Sequence, residues 1–191
     1  MPVSLNAGAN TIRLQRSTFG YVELDSVDLG PAPAPVYAAE NQVALTNPDF
    51  DASGATQTPL GWGTWPGAAG TSADADFTES GGFTGGFRLT QYKASAYEVY
   101  TDQTVTGLAN GTYTLTAFAV GGGGQSAAYL SAKNYGAPEL TAPIPATGWP
   151  NWRKVVIPGI VVTNGQLTIG VYSAGSGGQW LSVDAITLTG Q

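Results

Sequence analysis

The sequence predicts an all-β fold, a jelly-roll β-sandwich, and three observations carry that reading. Ala94 to Gly136 alternates apolar and polar side chains at period two, through Tyr97, Val99 and Thr101, then Tyr113, Leu115, Ala117 and Ala119, and again Ala128, Leu130 and Ala132. Turn signals recur along the whole chain: Asn110-Gly111, Gly121 to Gly124 and Asn164-Gly165 supply residues that tolerate positive φ between strands. No stretch carries a helical period.

Taken in order, residues 3 to 29 read as two strands, Thr11 to Gln15 and Tyr21 to Asp28, joined by a turn at Ser17 to Gly20. Two strands cannot bury a core alone. They either pair with the main unit as an N-terminal hairpin or close a preceding domain. Residues 31–36 follow as a Pro-rich linker, whose alternating prolines favour extended geometry and stop strand pairing. The main unit, residues 37–191, opens with a short strand at Val43 to Thr46 and a turn at Asn47-Pro48. Trp62 and Trp65 then lie in a Gly/Pro-rich loop, where such a residue either plugs the sandwich bottom or stands exposed as a platform. Strands are expected at Asp74 to Thr78 and Phe87 to Tyr92, followed by the alternating stretch as an antiparallel meander. After a Pro-rich connection, three more follow at Arg153 to Ile157, Leu167 to Ser173 and Trp180 to Leu188.

Composition narrows the chemistry. The 191 residues contain no cysteine and no histidine, which removes disulfides, Cys/His zinc sites and nucleophile–histidine triads. A net charge of -6 with seven Lys and Arg argues against a phosphate-binding surface, hence against nucleic acid. Nothing approaches the ~20 apolar residues of a membrane span. Only 10% of residues are charged, while 27 glycines, five Trp and nine Tyr give a profile common in exported all-β modules.

The outward parity of the central stretch holds Tyr100, Asp102, Phe118, Tyr129, Ser131 and Lys133. A face mixing rings with amide and charged groups suits sugars, whose C–H faces stack on rings while their hydroxyls need hydrogen bonds. Lys133 and Asn134 end a strand just before Tyr135, so a cation, an amide and a ring emerge together. Trp180 follows Gly177, Gly178 and Gln179, glycines that let its ring approach a ligand. Tyr100, Phe118 and Tyr129 either widen that platform or pack under a loop. A glycosidase would need two carboxylates about 5 to 10 Å apart. Glu98 and Asp102 on one strand span roughly 13 Å at ~3.3 Å per residue, so no catalytic pair is organised and a binding role is expected.

LTNPDFD, GLANGTYTLTAF and WLSVDAITL resemble the strands of carbohydrate-binding modules with a galactose-binding-like sandwich. YEVYTDQTVTGLANGTYTLTAFAV, YLSAKNYG, VTNGQLTIGVYS and GQWLSVDAITL, in that order, resemble carbohydrate-binding module family 61 over nearly all of the main unit. The resemblance implies binding of β-1,4-galactan by an appendage of a secreted glycoside hydrolase. Lys133, Asn134, Gln179, Trp180, Tyr100, Tyr129 and Phe118 are its candidate sugar contacts. It also implies a structural calcium tying the opening loop to the closing strand, with Asp51, Asp184 and Glu79 as candidate ligands. Two departures, Gln91-Tyr92 in place of a His-Trp pair and Asp102 in place of an aromatic, bear on linkage preference. AGANTIRL and YVELDSV resemble the closing hairpin of module families 6 and 35, making residues 1–30 the remnant of a preceding module. Another β-glycan, or a structural or adhesive sandwich without a sugar site, fits the same core pattern.

Overall fold

The computed structural model describes residues 42–191 apart from residue 53, and the N-terminal hairpin and linker lie outside the described residues. Ten strands follow in order: β1 Gly63–Trp65, β2 Asp76–Ser80, β3 Phe87–Tyr92, β4 Tyr97–Thr106, β5 Gly111–Gly121, β6 Ala127–Lys133, β7 Leu140–Pro143, β8 Arg153–Val162, β9 Gln166–Gly175 and β10 Trp180–Gly190. They form two five-stranded sheets, one ordered β2-β3-β10-β5-β8 (sheet A) and the other β1-β4-β9-β6-β7 (sheet B). Every pairing is antiparallel. The predicted jelly-roll sandwich is what the chain builds.

The alternation works as expected on each strand. Leu115, Leu130, Ile160, Ile169, Leu181 and Leu188 point inward and are fully buried between the sheets. What the alternation does not give is the sheet to which a strand belongs. The expected meander over Ala94 to Gly136 is not one sheet: β4 and β6 flank β9 in sheet B, while β5 lies between β10 and β8 in sheet A. The link before Asn110-Gly111 arches over the sandwich end instead of closing a tight hairpin. Its Leu108 packs against the core and its amide donates to the Gly165 carbonyl at the parallel arch between β8 and β9. Crossing between layers sets the apolar faces of successive strands against each other, which buries more surface than laying them side by side.

The expected strand at Val43 to Thr46 is reduced to one bridge, Gln42 to Thr189, with Val43 donating to the Leu188 carbonyl. The two loop tryptophans divide the two expected roles. Trp62 is buried against Phe50, with ring centroids 5.3 Å apart, and its Nε1 donates to the Thr46 and Asn47 carbonyls. Trp65, on β1, is 42% exposed.

At one end the interior is polar. Gln91 of sheet A donates through Nε2 to Thr101 Oγ1 (2.9 Å) and the Val171 carbonyl (3.0 Å) of sheet B, and its Oε1 accepts from Ser173 Oγ (2.7 Å). Thr101 donates onward to Asp76 Oδ2 (2.8 Å), which also accepts from Thr64 Oγ1 (2.6 Å). Burial pushes the Asp76 carboxyl above the usual carboxylate range, partly offset by the Thr64 and Thr101 hydroxyls. Gln91, half of the first sequence departure, is therefore an interior strut and meets no ligand face.

Candidate functional site

Residues paired across a ladder share a face, and the register of sheet B places one row of side chains across all five strands. Trp65 pairs with Tyr100, Tyr100 with Tyr172, Tyr172 with Tyr129 and Tyr129 with Pro143. Four neighbouring strands thus contribute a ring each, and the row ends on a proline. Five strands at ~4.8 Å spacing make it about 19 Å long.

Tyr100 lies flat and is 5% exposed. It can do so because Gly170 sits beside it on β9, where a Cβ would fall 2.5 Å from the Tyr100 ring. Lys133 Nζ stands 3.8 Å above the ring centroid, and the Tyr100 hydroxyl donates to Ser131 Oγ (3.2 Å), which donates to Glu139. Tyr129 and Tyr172 are stacked at 4.9 Å and 23°. The Tyr172 hydroxyl donates to Glu98 Oε1 (2.7 Å), and the Ala68 amide donates to Glu98 Oε2 (3.0 Å). Those two donors hold the Glu98 carboxyl below its ordinary value. Burial raises Tyr100 and Tyr172, so both stay protonated. Asp102 and Lys133 flank the row half-buried. Burial raises the Asp102 carboxyl and the Lys133 charge partly offsets it, yet neither polar head has a hydrogen-bond partner among the described residues. Asn134, at the strand end with φ 62, donates through Nδ2 to Thr168 Oγ1 (3.1 Å).

The structure therefore brings together Tyr100, Tyr129, Lys133 and Asn134, and it separates them from Trp180 and Phe118. Tyr100, Tyr129, Lys133, Trp180 and Phe118 have outward parity, and Asn134, just past the end of β6, reaches Thr168 beside Lys133; but β5 and β10 belong to sheet A, so Trp180 and Phe118 lie on the opposite outer face. The sequence argument merged two faces into one. Gln179 belongs to neither: its Nε2 donates to the Gly124 carbonyl (2.6 Å) and its Oε1 accepts from the Ser176 amide (2.8 Å), which ties two loops together. Tyr172 and Glu98 were missed as site residues, while Trp65 takes the platform role that was one of its two expected readings. Tyr172 and Glu98 share the outward parity of their strands, so the signal for them was present.

The candidate calcium ligands also divide. Asp51 Oδ1 accepts from the Gly86 and Phe87 amides (2.9 and 2.7 Å), and Asp184 Oδ2 accepts from Thr84 (2.9 Å), so both meet the loop between β2 and β3. Burial pushes the Asp184 carboxyl up to about 6, with the loop amides pulling it down and Asp51 adding to the rise. Neither carboxylate forms an ion pair among the described residues. Two adjacent carboxylates without a positive partner fit a cation. Glu79 does not join them, because its Oε1 is taken by Arg88 (2.9 Å) and the Thr90 hydroxyl (2.7 Å) on the outer face of sheet A. No third Asp or Glu completes a cluster among the described residues.

No family model matches the chain. A curated relative, a 1,6-α-glucosyltransferase of Sporosarcina globispora, is 30% identical over 201 aligned positions that take in 99% of this chain. The chain spans 15% of that protein's length. Among solved structures, TmCBM61 in complex with β-1,4-galactotriose superposes with a TM-score of 0.64 at 22% identity, over 77% of this chain and 97% of that one. The enzymatically active domain of tailspike protein 4 of bacteriophage CBA120 superposes with a TM-score of 0.57 at 11% identity, over 79% of this chain and 21% of that one. At these identities the likeness is one of fold: the chain folds as carbohydrate-binding modules do.

Proposed function

We propose that residues 37–191 are a non-catalytic glycan-binding module that recognises β-1,4-galactan through the outer face of sheet B. The observation that carries the reading is the row Trp65–Tyr100–Tyr172–Tyr129, one ring per strand, flanked by an Asp102 carboxylate and a Lys133 ammonium that make no hydrogen bond among the described residues. A sugar ring laid on Tyr129 and Tyr172 gains aromatic stacking, worth on the order of 1 kcal/mol per ring by analogy with ring pairs. Its hydroxyls meet one acceptor and one donor that already stand half-desolvated. Lys133 and Asn134 serve an axial hydroxyl such as O4 of galactose. The fold shared with a galactotriose-bound module supports galactan as the first ligand to test.

The module tethers a catalytic domain of the same polypeptide to its polysaccharide, outside the cell. An α-glucan is the second reading, favoured by the 1,6-α-glucosyltransferase that aligns along almost the whole chain. Affinity electrophoresis in galactan, xylan, β-glucan, arabinogalactan, dextran and pullulan gels, with a reducing-sugar assay on the same samples, decides between them. Retardation by galactan without sugar release is the expected result. Retardation by dextran or pullulan instead moves the specificity to α-glucans, no retardation leaves a structural or adhesive sandwich, and sugar release makes the chain an enzyme.

Asp51 and Asp184 hold a structural calcium ion against the loop between β2 and β3 in this reading. Carboxylates and loop carbonyls are the hard oxygen donors that calcium takes. The ion's charge offsets the burial that chiefly raises Asp184 and the smaller repulsion from Asp51. Removing it with EDTA should lower the melting temperature by several degrees without changing the far-ultraviolet spectrum. An unchanged melt counts against the ion.

A further inference from the structure

We infer that the module has a second glycan site on the outer face of sheet A, which makes it bivalent. Trp180 and Tyr92 pair across β10 and β3, and Phe77 and Arg88 continue the same face on β2 and β3. Trp149, from the connection between β7 and β8, stands over them and closes a cleft of about 390 Å³. That is within the ~300–1,000 Å³ typical of small-molecule sites.

Trp149 is 49% exposed and Tyr92 38% exposed, an arrangement that a protein without a ligand there has reason to avoid. The rings are also held in place. The Arg88 guanidinium lies 4.5 Å from the Trp149 ring centroid, and Trp152 meets Trp149 edge-on at 6.0 Å. Arg88 itself is fixed by Glu79 (2.9 Å) and by donating through Nε to Ser182 Oγ (3.1 Å). Trp180 lies along Gly122, where a Cβ would fall 2.5 Å from its Nε1.

Between these rings the polar groups form a donor and acceptor pair. Glu79 Oε1 takes both Arg88 and Thr90, leaving Oε2 without a partner among the described residues. A carboxylate oxygen lining a cleft together with ring faces is the chemistry that a neutral hexose needs: hydroxyls to the acid, C–H faces to the rings. The ligand class rests on the proposed function, but the site does not, since it shares no residue with the sheet B row. The two faces point away from each other, so one module can engage two polysaccharide strands.

Isothermal titration with β-1,4-galactotetraose and isomaltotetraose, together with tryptophan fluorescence, tests this on three proteins: wild type, Trp149→Ala/Trp180→Ala and Tyr129→Ala/Tyr172→Ala. Two equivalents are expected for wild type and one for each double variant. The tyrosine variant should keep the fluorescence change of Trp149 and Trp180, the tryptophan variant should keep only the change that Trp65 gives on the sheet B row, and each should lose at least tenfold in affinity at its own face. If Trp149→Ala/Trp180→Ala does not fold, Tyr92→Ala replaces it. One equivalent that disappears only in the tyrosine variant overturns the second site and leaves the first standing. One equivalent that disappears only in the tryptophan variant supports this site and removes the sheet B row. Wild type that binds neither sugar overturns both.

Discussion

Both outer faces of the sandwich carry aromatic rings but use them differently. On sheet A, rings meet rings: Phe83 stacks on Phe118 at 3.8 Å, Trp152 tilts against Phe83 at 5.9 Å, and Trp149 and Trp152 meet edge to face. On sheet B only Tyr129 and Tyr172 stack among the described residues, and the strands themselves hold the rings with charges: Lys133 sits over Tyr100 and Glu98 takes the Tyr172 hydroxyl. The difference teaches that ring content alone does not define a sugar platform. Sheet A offers ring faces raised above the strands by a loop, whereas sheet B offers a row of rings whose polar edge is built into the strands.

The sharpest way to break the comparison is Gly170→Val. The added carbons collide with the Tyr100 ring and dislodge the Lys133 ammonium above it, at a cost of roughly 1–3 kcal/mol for overpacking. The melting temperature should fall by several degrees and galactan retardation should vanish, while the fluorescence response of the sheet A cleft persists. Tyr129→Ala comes next. It removes one stacking surface, and titration should show about a tenfold affinity loss, the equivalent of ~1.4 kcal/mol, with an unchanged melt. Lys133→Gln has a smaller expected effect, a few-fold loss in affinity, because a cation–π contact at a half-exposed site contributes about 0.5–1 kcal/mol. Equal losses for Tyr129→Ala and an exposed residue off the row, such as Thr141→Ala, would erase the distinction between the row and its surroundings.

The smallest effect concerns the strut between the faces. Burial raises the Asp76 carboxyl above its ordinary 3.8, so the folded chain keeps a proton that the unfolded chain has released. Stability from this group is therefore highest at low pH and declines as pH rises above about 4. Thermal melts between about pH 4 and pH 7 should show a shallower slope for Asp76→Asn than for wild type, and an identical slope would exclude Asp76 as its source.

The sequence made the inward and outward sets legible because strand alternation is a local property. Leu115, Leu130 and Ala132 were expected inside and are, and Tyr100, Tyr129 and Phe118 were expected on an outer face and are. Alternation fixes which face a side chain takes, not which strand lies beside it, so Trp180 and Lys133 could be given parity but not a common sheet. β1 and β7 escaped notice because they are three- and four-residue segments in Gly/Pro-rich sequence that become strands only by pairing with β4 and β6. Trp149 could not be placed either, since a loop tryptophan takes its position from Arg88, distant in sequence.

The Gln91 strut has a mechanical consequence. Apolar layers can slip past one another with little directional resistance, but here any slip by one residue would break the bonds from Gln91 to Thr101, Val171 and Ser173 at once. A polymer dragging on one side of the module would load the other through a stiff joint. Tension along a bound chain would then pass to the anchored partner instead of being dissipated as sliding between the layers.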